Sequence, residues 1–259
     1  MIPLVVVGAA GRMGRAIEQA VAATPGFVVR ARVDRESTHP PGADGWSADV
    51  AAVLAAGDVA VEFSAPAVCA AVAQRCAERG AGLVSGTTGL DAAQEEVVRA
   101  AARRVPVVRA ANFCLGIAVL RQALQAALAG SPSGWDVEIV ERHHRRKADS
   151  PSGTALLLAR DVAARRGAPE EALRCGRGAG RTGPRPEGEI GVHAVRGGSW
   201  VGDHTVLLAG EGEWLELRHV AQDRLAFAHG ALAAARFVAG AAPGLYTLEQ
   251  VLAAGSRPQ

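Results

Sequence analysis

The densest group of chemically capable side chains lies in the stretch ERHHRRKADSPSGT, residues 141–154. It holds His143, His144 and Lys147, and imidazole and ammonium groups are the usual general acids where hydride addition leaves a carbanion or enamine to be protonated. The stretch therefore indicates proton delivery to a substrate. A run of cations is also typical of a solvated surface loop, so the residues alone leave both interpretations open.

Lys147 is the only lysine of the chain: of 28 lysines and arginines, 27 are arginine. Arginine stays protonated in proteins, whereas a lysine can release its proton when its surroundings lower its pKa. The composition therefore indicates for Lys147 a role that arginine cannot fill. The alternative is chance, because a single lysine has to occupy some position in the chain.

The segment after Lys147 has the residues of a helix start. Ser152, Gly153 and Thr154 follow Asp149-Ser150-Pro151, and such residues at a helix N-terminus offer backbone N–H groups to an anion. Together with the two histidines and the lysine, they predict a site for a small substrate that carries carboxylates.

A glycine-rich turn follows the apolar run at residues 2–7. Its sequence is GAAGRMG, residues 8–14, and glycines between a strand and a helix permit a tight turn and the approach of N–H groups to a pyrophosphate. The spacing GxxGxxG departs from the usual GxGxxG, and a plain glycine-rich turn is the alternative. The residues predicted to contact a dinucleotide here are Gly8, Ala9, Ala10, Gly11, Arg12 and Met13.

An acid follows the next predicted strand. Asp34 can accept hydrogen bonds from an adenosine ribose, whereas Arg35 beside it suits a 2′-phosphate. The pair predicts NADH or NADPH as the cofactor and leaves the preference between them open.

Two further loops follow the predicted strands 81–85 and 105–109. Ligands of open α/β sheets bind beyond the carboxyl ends of the strands, so both loops border the expected position of a nicotinamide. Each loop taken alone is more simply a turn. The residues predicted to contact the cofactor there are Gly86, Thr87, Thr88, Ala110, Ala111, Asn112 and Phe113.

Short β-branched runs alternate with alanine-rich stretches through residue 113, which predicts a parallel sheet with helices. The predicted strands are 2–7, 27–33, 58–63, 81–85 and 105–109, and the predicted helices are 12–23, 48–56, 66–79 and 91–104. The expected fold of this half is a Rossmann-like, doubly wound α/β domain.

From residue 115 the pattern predicts a second, α+β domain. Its predicted helices are 115–129 and 154–166, and its strands are 135–142, 189–196, 203–209 and 213–220, with a Gly/Arg-rich connection at 174–188. Glycine-rich turns between the strands favour an open sheet of mixed or antiparallel strands. By pattern alone, the final helices 224–239 and 247–254 can pack on either domain.

The composition excludes several classes. A chain of 259 residues is long enough for two domains, and a net charge of +2 gives no general attraction to nucleic acid or membranes. The N-terminal apolar run is too short for a signal peptide or a membrane span, so we expect a cytoplasmic protein. The four cysteines lack metal-ligand spacing, so we expect their thiols to be reduced. His193, His204 and His219 share no such spacing either, so we expect structural histidines and no bound metal.

With these residues in view, the chain resembles the 4-hydroxy-tetrahydrodipicolinate reductase family, also called dihydrodipicolinate reductase, of the diaminopimelate route to lysine. The resemblance runs nearly end to end. It rests on the loops 8–14, 86–89 and 110–113, and above all on residues 141–155, which match the family signature E-x-H-H-x-x-K-x-D-x-P-S-G-T-A. The segments 188–191 and 202–205 also resemble the family.

The resemblance implies reduction of 4-hydroxy-tetrahydrodipicolinate to tetrahydrodipicolinate, with loss of water and with NADH or NADPH. It implies that His143 is a proton donor or acceptor and Lys147 a proton donor. It also implies that His144, Gly153 and Thr154 hold the substrate's carboxylates, and we extend this prediction to Ser152 at the same helix start.

For the domains, the resemblance implies a dinucleotide-binding domain of residues 1–114 and 224–259. Residues 115–223 are then the substrate-binding and oligomerisation domain, and a homotetramer is built through it.

Three other functions compete with this one. Another two-domain nicotinamide dehydrogenase, such as an aspartate or homoserine dehydrogenase, does not require the run from His143 to Thr154. A non-catalytic dinucleotide sensor predicts NADH binding without substrate-dependent oxidation. A nucleic-acid-binding role for the arginine-rich loops 142–147 and 174–185 lacks interleaved aromatic residues.

Overall fold

The computed structural model describes residues 1–39 and 44–255, which form two compact units. The first unit is Met1–Leu115 together with Arg224–Gln259, and the second is Gly116–Asp223. The final helices, whose packing the sequence pattern leaves open, thus group with the first unit. Residues 256–259 of that segment lie outside the described residues.

The strands and helices alternate along most of the chain. The strands are β1 (Ile2–Val7), β2 (Phe27–Val33), β3 (Trp46–Ser47), β4 (Val59–Glu62), β5 (Gly82–Ser85), β6 (Pro106–Arg109), β7 (Asp136–His143), β8 (Leu173–Cys175), β9 (Ile190–Arg196), β10 (Gly202–Ala209), β11 (Trp214–Ala221) and β12 (Gly244–Tyr246). The helices are α1 (Arg12–Ala23), α2 (Val50–Val53), α3 (Pro66–Arg79), α4 (Ala92–Ala102), α5 (Leu115–Gly130), α6 (Gly153–Arg166), α7 (Leu225–Val238) and α8 (Leu248–Gly255).

The first unit contains a seven-stranded sheet in the order β12-β6-β5-β4-β1-β2-β3, and its neighbouring strands pair in parallel. Every residue of the central strands β4 and β5 is buried, as expected where helices cover both faces of a parallel sheet. The predicted Rossmann-like, doubly wound fold is confirmed.

Local sequence sets the ends of the helices. α3 begins at Pro66, whose fixed φ suits a first helical position. Asp91 and Gln94 form a reciprocal capping box at the start of α4. α3 and α6 end at Gly80 and Gly167, where the chain turns into the left-handed conformation. These signals explain why the predicted helix boundaries lie close to the observed ones.

The second unit contains a five-stranded sheet in the order β11-β10-β7-β9-β8. β7 is central: it pairs antiparallel with β10 and parallel with β9. The predicted open, mixed sheet is confirmed.

The structure differs from the predicted elements where the pattern is short. The helix predicted at 48–56 is a single turn, because the Asp58 carboxylate accepts the N–H of Ala55 (2.7 Å) and redirects the chain into β4. The predicted connection 174–188 overlaps β8, which adds an edge strand beside β9. β3 and β12 have two and three residues and carry too little periodicity to be predicted.

Within residues 1–39 and 44–255, no helix is long and apolar enough to cross a membrane. The thiols of Cys69, Cys76, Cys114 and Cys175 are free. The described residues contain no group of histidines, cysteines and acids suited to hold a metal ion.

Candidate active site

The turn after β1 has the backbone that its glycine spacing predicts. Gly8 has a φ of +82°, and an added Cβ would lie 2.5 Å from the carbonyl oxygen of Phe63. At Gly14 an added Cβ would overlap the backbone of Ala9. Only glycine fits either position without moving a neighbouring backbone. The turn therefore packs α1 closely against β1, and Gly11, which precedes the helix, is exposed where an anion can approach.

Asp34 supports this turn from the end of β2. Its carboxylate accepts the N–H groups of Ala10 (2.9 Å) and Arg35 (2.8 Å), and the N–H of Gly8 donates to the carbonyl of Val33 (2.9 Å). Asp34 is only partly exposed, whereas Arg35 is exposed. The predicted ribose acceptor is thus already bonded to the glycine-rich turn and holds it in place.

The two threonines after β5 differ in exposure. Thr87 is buried, and its hydroxyl donates to Glu62 Oε1 (2.6 Å) while it accepts the N–H of Ser64 (3.0 Å). Thr88 is exposed. The Thr87 hydroxyl is therefore engaged within the protein, and Thr88 carries the hydroxyl that is accessible to a ligand.

The loop after β6 is anchored by its own side chains. Asn112 Oδ1 accepts the N–H of Cys114 (2.8 Å). Phe113 is buried and packs edge-on against Phe63, with ring centroids 5.4 Å apart, whereas Ala111 is exposed. The buried aromatic ring of Phe113 thus anchors the loop to the protein interior.

The predicted cofactor residues meet at one edge of the first sheet. From β1 the chain continues towards β2 and β3 on one side, and the later strands β4, β5 and β6 lie on the other. Such a reversal leaves a crevice at the carboxyl ends of the strands. Every residue predicted to contact the cofactor follows the carboxyl end of β1, β2, β5 or β6. These residues are Gly8, Ala9, Ala10, Gly11, Arg12, Met13, Asp34, Arg35, Gly86, Thr87, Thr88, Ala110, Ala111, Asn112 and Phe113.

In the second unit, the stretch of residues 141–154 begins on β7. Buried residues alternate with partly exposed ones along this strand, so Val137, Ile139, Glu141 and His143 share the buried face. That face is apolar at first and then ends in a carboxylate and an imidazole. Because buried polar groups are costly when unpaired, these two side chains must find partners inside the protein.

The Glu141 carboxylate is fully buried and accepts four hydrogen bonds. Arg196 donates one to each oxygen (2.7 Å each), His143 Nδ1 lies 2.6 Å from Oε2, and the N–H of Ser152 lies 2.9 Å from Oε1. Burial raises the pKa of Glu141, but the bonds from His143 and Arg196 outweigh it and lower that pKa to about 2. Glu141 is therefore charged at neutral pH.

The bond to Glu141 assigns a role to each nitrogen of His143. A carboxylate only accepts hydrogen bonds, so Nδ1 carries a hydrogen and Nε2 is the nitrogen that can gain or lose a proton. Gly202 lies against this side of the ring, where an added Cβ would be 3.2 Å from Nε2. His143 is thus oriented by its partner, as a general acid or base requires.

His204 is a buried support within the same cluster. Its ring packs edge-on against that of His143, with centroids 5.1 Å apart, and its Nε2 lies 3.1 Å from the Ser152 hydroxyl. Burial, reinforced by the nearby His143, lowers the pKa of His204 to about 4, so this ring is neutral at pH 7. The Ser152 hydroxyl also accepts the N–H of Ala155 (3.2 Å) and therefore has two partners within the protein.

Lys147 lies in the loop that follows β7. Its ammonium donates to both carboxylate oxygens of Asp149 (2.7 and 2.8 Å), and its backbone N–H donates to the carbonyl of His144 (3.0 Å). Burial raises the pKa of Asp149, but the ion pair with Lys147 lowers it overall. The N–H of His144 donates to the carbonyl of Trp200 (2.8 Å), which fixes the loop to the turn before β10.

The start of α6 stands next to this loop. Ser152 is its N-cap, and the first intrahelical bond runs from the N–H of Leu156 to the carbonyl of Ser152 (3.0 Å). The amides of Gly153 and Thr154 precede that bond, and Gly153 is exposed. The end of a helix that concentrates N–H groups is therefore accessible to a carboxylate.

Arg196 belongs to this cluster and is not predicted from the sequence, and His204, which is expected to be a structural histidine, lies in the same cluster. Arg196 pairs in register with His143 across β9 and β7, and His204 pairs with Glu141 across β10 and β7. These neighbours follow from the strand pairing, which the sequence pattern does not specify. For Glu141, the signal was its place two residues before His143 on one strand face.

Two family models match this chain and together span most of it. The model described as "Dihydrodipicolinate reductase, N-terminus" matches residues 2–113, and the model described as "Dihydrodipicolinate reductase, C-terminus" matches residues 116–252.

Curated relatives match over nearly the whole length. A 4-hydroxy-tetrahydrodipicolinate reductase of Thermomicrobium roseum is 47% identical and covers 97% of this chain and 100% of its own. Another of Thiobacillus denitrificans is 42% identical and covers 97% of this chain and 98% of its own.

A solved structure shares the fold. The dipicolinate-bound dihydrodipicolinate reductase of Paenisporosarcina sp. TG-14 has a TM-score of 0.77 and 26% sequence identity, and the match covers 96% of this chain and 99% of that one.

Proposed function

The chain belongs to the dihydrodipicolinate reductase family, and from this premise we propose how its residues reduce 4-hydroxy-tetrahydrodipicolinate to tetrahydrodipicolinate in the diaminopimelate route to lysine. The chain is an oxidoreductase that depends on NADH or NADPH. The observation that carries the assignment of catalytic residues is the buried Glu141–His143 pair, whose strand leads directly to Lys147 and the start of α6.

The first unit suits a dinucleotide. The glycine-rich turn leaves no room for a Cβ at Gly8, and the exposed Gly11 precedes the N-terminus of α1. A pyrophosphate fits such a turn, with Asp34 beside the ribose and Thr88 at the nicotinamide side. When bound, the reduced dinucleotide supplies a hydride to C4 of the substrate ring.

His143 and Lys147 move protons in the second unit. Hydride addition at C4, after loss of the hydroxyl as water, leaves electron density on the ring nitrogen and its conjugated carbons. Lys147 donates the proton that this electron-rich intermediate takes up, and Asp149 orients the Lys147 ammonium. His143 exchanges a proton at Nε2 while Glu141 holds Nδ1.

The substrate carboxylates belong beside the same loop. The Paenisporosarcina relative is described as dipicolinate-bound, and dipicolinate carries two carboxylates. We assign them to His144 and to the amides of Gly153 and Thr154 at the start of α6. The sequence predicts Ser152 as a direct contact, but its hydroxyl accepts the N–H of Ala155 and lies within hydrogen-bond distance of His204 Nε2. We therefore assign Ser152 the task of fixing the helix start.

We propose a homotetramer assembled through the second unit. β11 is an edge strand of the second sheet, and its Trp214, Leu215 and Val220 are exposed. A long edge strand with exposed large apolar side chains is often covered by another chain or element, because its unpaired backbone groups invite pairing. Size-exclusion chromatography with light scattering tests this assembly, and a monomer would contradict it. The dependence on NADH or NADPH and the biosynthetic role support the proposal of a cytoplasmic location.

The test of the function is a substrate-dependent oxidation assay. The absorbance of NADH and, separately, of NADPH is followed with the condensation product of pyruvate and aspartate semialdehyde. Oxidation of either cofactor supports the assignment. Binding of NADH without oxidation favours the dinucleotide sensor, and reduction of NAD⁺ or NADP⁺ with aspartate or homoserine instead favours another dehydrogenase.

A further inference from the structure

Glu62 is a buried carboxylate that has no role in the proposed proton transfers or in substrate binding. It is the last residue of β4, the central strand of the first sheet, and it is 0% exposed. β4 borders β1 at the point where the direction of strand succession reverses. Glu62 therefore lies at the edge where an open α/β sheet binds its ligand.

Neutral donors satisfy this carboxylate. Oε1 accepts hydrogen bonds from the N–H of Ser64 (2.7 Å), the hydroxyl of Ser64 and the hydroxyl of Thr87 (2.6 Å), and Oε2 accepts one from the hydroxyl of Ser85 (2.8 Å). Two of the donating residues, Ser64 and Thr87, lie in the loops that follow β4 and β5. The carboxylate thus joins two neighbouring strand-end loops.

The residue after Glu62 extends these contacts to the other loops. The Phe63 ring packs on Gly86 and on Phe113, and its carbonyl oxygen stands against Gly8. Residues 62–64 therefore touch the turn after β1, the loop after β5 and the loop after β6. These are the loops to which we assign the pyrophosphate and nicotinamide ends of the dinucleotide.

Thr87 is the residue through which Glu62 reaches the loop. Because a carboxylate only accepts hydrogen bonds, the Thr87 hydroxyl must donate to Glu62, and its lone pairs are then left to accept the N–H of Ser64. Both bonds together select one orientation of the Thr87 side chain. The loop 86–89 is thereby fixed before a ligand binds, and such preorganisation lowers the cost of binding.

We infer that Glu62 is a positioning residue of the dinucleotide site, which acts through Thr87 to hold the loop 86–89. The inference rests on the proposed role of the first unit in cofactor binding. It predicts that removal of the Thr87 hydroxyl weakens cofactor binding more than it slows turnover at saturating cofactor.

The test compares Thr87→Val, which keeps the shape of the side chain, with Thr87→Ser, which keeps the hydroxyl. For Thr87→Val we expect the Kd of NADH, measured by calorimetric titration without substrate, to rise about tenfold, because the loop 86–89 must then be fixed at the expense of binding free energy. The kcat should change by less than about threefold, and Thr87→Ser should bind NADH nearly as tightly as the wild type.

A double-mutant cycle tests whether Glu62 acts through Thr87. Glu62→Gln alone should raise the Kd of NADH, because the amide is a weaker acceptor and must also donate. Added to Thr87→Val, it should raise the Kd little further, since the contact is already lost.

The matched control is Asp58→Asn. Asp58 is a buried acid just before the opposite end of β4, bonded to Arg30 and to the N–H of Ala55. Its substitution should lower the Tm but leave the Kd of NADH unchanged.

An unchanged Kd for Thr87→Val in a wild-type protein that binds and oxidises NADH overturns the inference alone. A wild type that binds neither NADH nor NADPH overturns the proposed function instead. Additive effects of Glu62→Gln and Thr87→Val also contradict the inference, because two independent contacts add. So does a rise in Kd for Asp58→Asn as large as that for Glu62→Gln.

Discussion

Each of the two units has a buried carboxylate near the carboxyl end of the central strand of its sheet: Glu62 on β4 and Glu141 on β7. Their partners differ. Glu62 is bonded to hydroxyls and a backbone N–H, whereas Glu141 is bonded to the Arg196 guanidinium and the His143 imidazole.

The difference in partners separates two tasks. A carboxylate held by neutral donors fixes the position of loops, whereas one held by an imidazole also sets which nitrogen exchanges a proton. Substitutions in the second unit should therefore act mainly on kcat and on pH dependence. Substitutions in the first unit should act mainly on the affinity for the dinucleotide.

The largest effect is expected for Lys147→Arg. An arginine can keep the ion pair with Asp149 but cannot release a proton, so we expect kcat to fall by about 100-fold or more, with little change in the KM for substrate or cofactor. Steady-state kinetics in which the concentrations of both substrates are varied measure kcat and the two KM values separately. Activity within a few-fold of the wild type would remove Lys147 from the mechanism.

Glu141→Gln should have the next largest effect. The variant leaves Arg196 without its buried partner and no longer selects the protonated Nδ1 of His143, so we expect kcat to fall by about 30-fold. The pH profile of kcat should also shift, whereas the Kd of NADH stays the same. A profile that is merely scaled down would mean that Glu141 has a structural role only.

Acid stability gives a smaller effect at the same residue. The folded pKa of Glu141 is about 2, below the unfolded value of about 4.3, so its stabilising contribution is present above that unfolded value and is lost as the pH falls towards 2. Between about pH 6 and about pH 3 the wild type should lose about 1.5 kcal/mol of unfolding free energy more than Glu141→Gln does.

Urea titrations at both pH values measure this difference. Glu138, Asp149 and Asp203 also have lowered pKa values in the second unit, but they are present in both proteins and cancel in the comparison to a first approximation. Equal losses in the two proteins would contradict the lowered pKa of Glu141.

The smallest effect should come from Arg35→Ala, which probes the first unit. The exposed Arg35 suits a 2′-phosphate, so its loss should raise the KM for NADPH about fivefold and leave that for NADH unchanged. Parallel assays with the two cofactors measure the ratio. Equal changes for both would assign the 2′-phosphate to other residues.

The sequence predicts the residues that are close in the chain. The glycine-rich turn, the strand-end loops and the run from His143 to Thr154 each form a continuous segment, so spacing and local propensity suffice to find them. Glu62, Arg196 and His204 act across strands or through loops that meet only in the fold. Glu62 had a local signal, an acid at the end of an apolar run, but only the contacts with Ser64 and Thr87 give that signal a meaning.

The alternation along β7 also links folding to activity. Val137 and Ile139 contribute to the core on the same face that carries Glu141 and His143. A slip of one residue against β9 and β10 would bury Val140 and Arg142 and turn the acid and imidazole outwards. The hydrophobic residues that select the correct register therefore also select the orientation of the His143 ring. Given the role proposed for His143, we expect recovered activity after refolding to report that this sheet has paired in register.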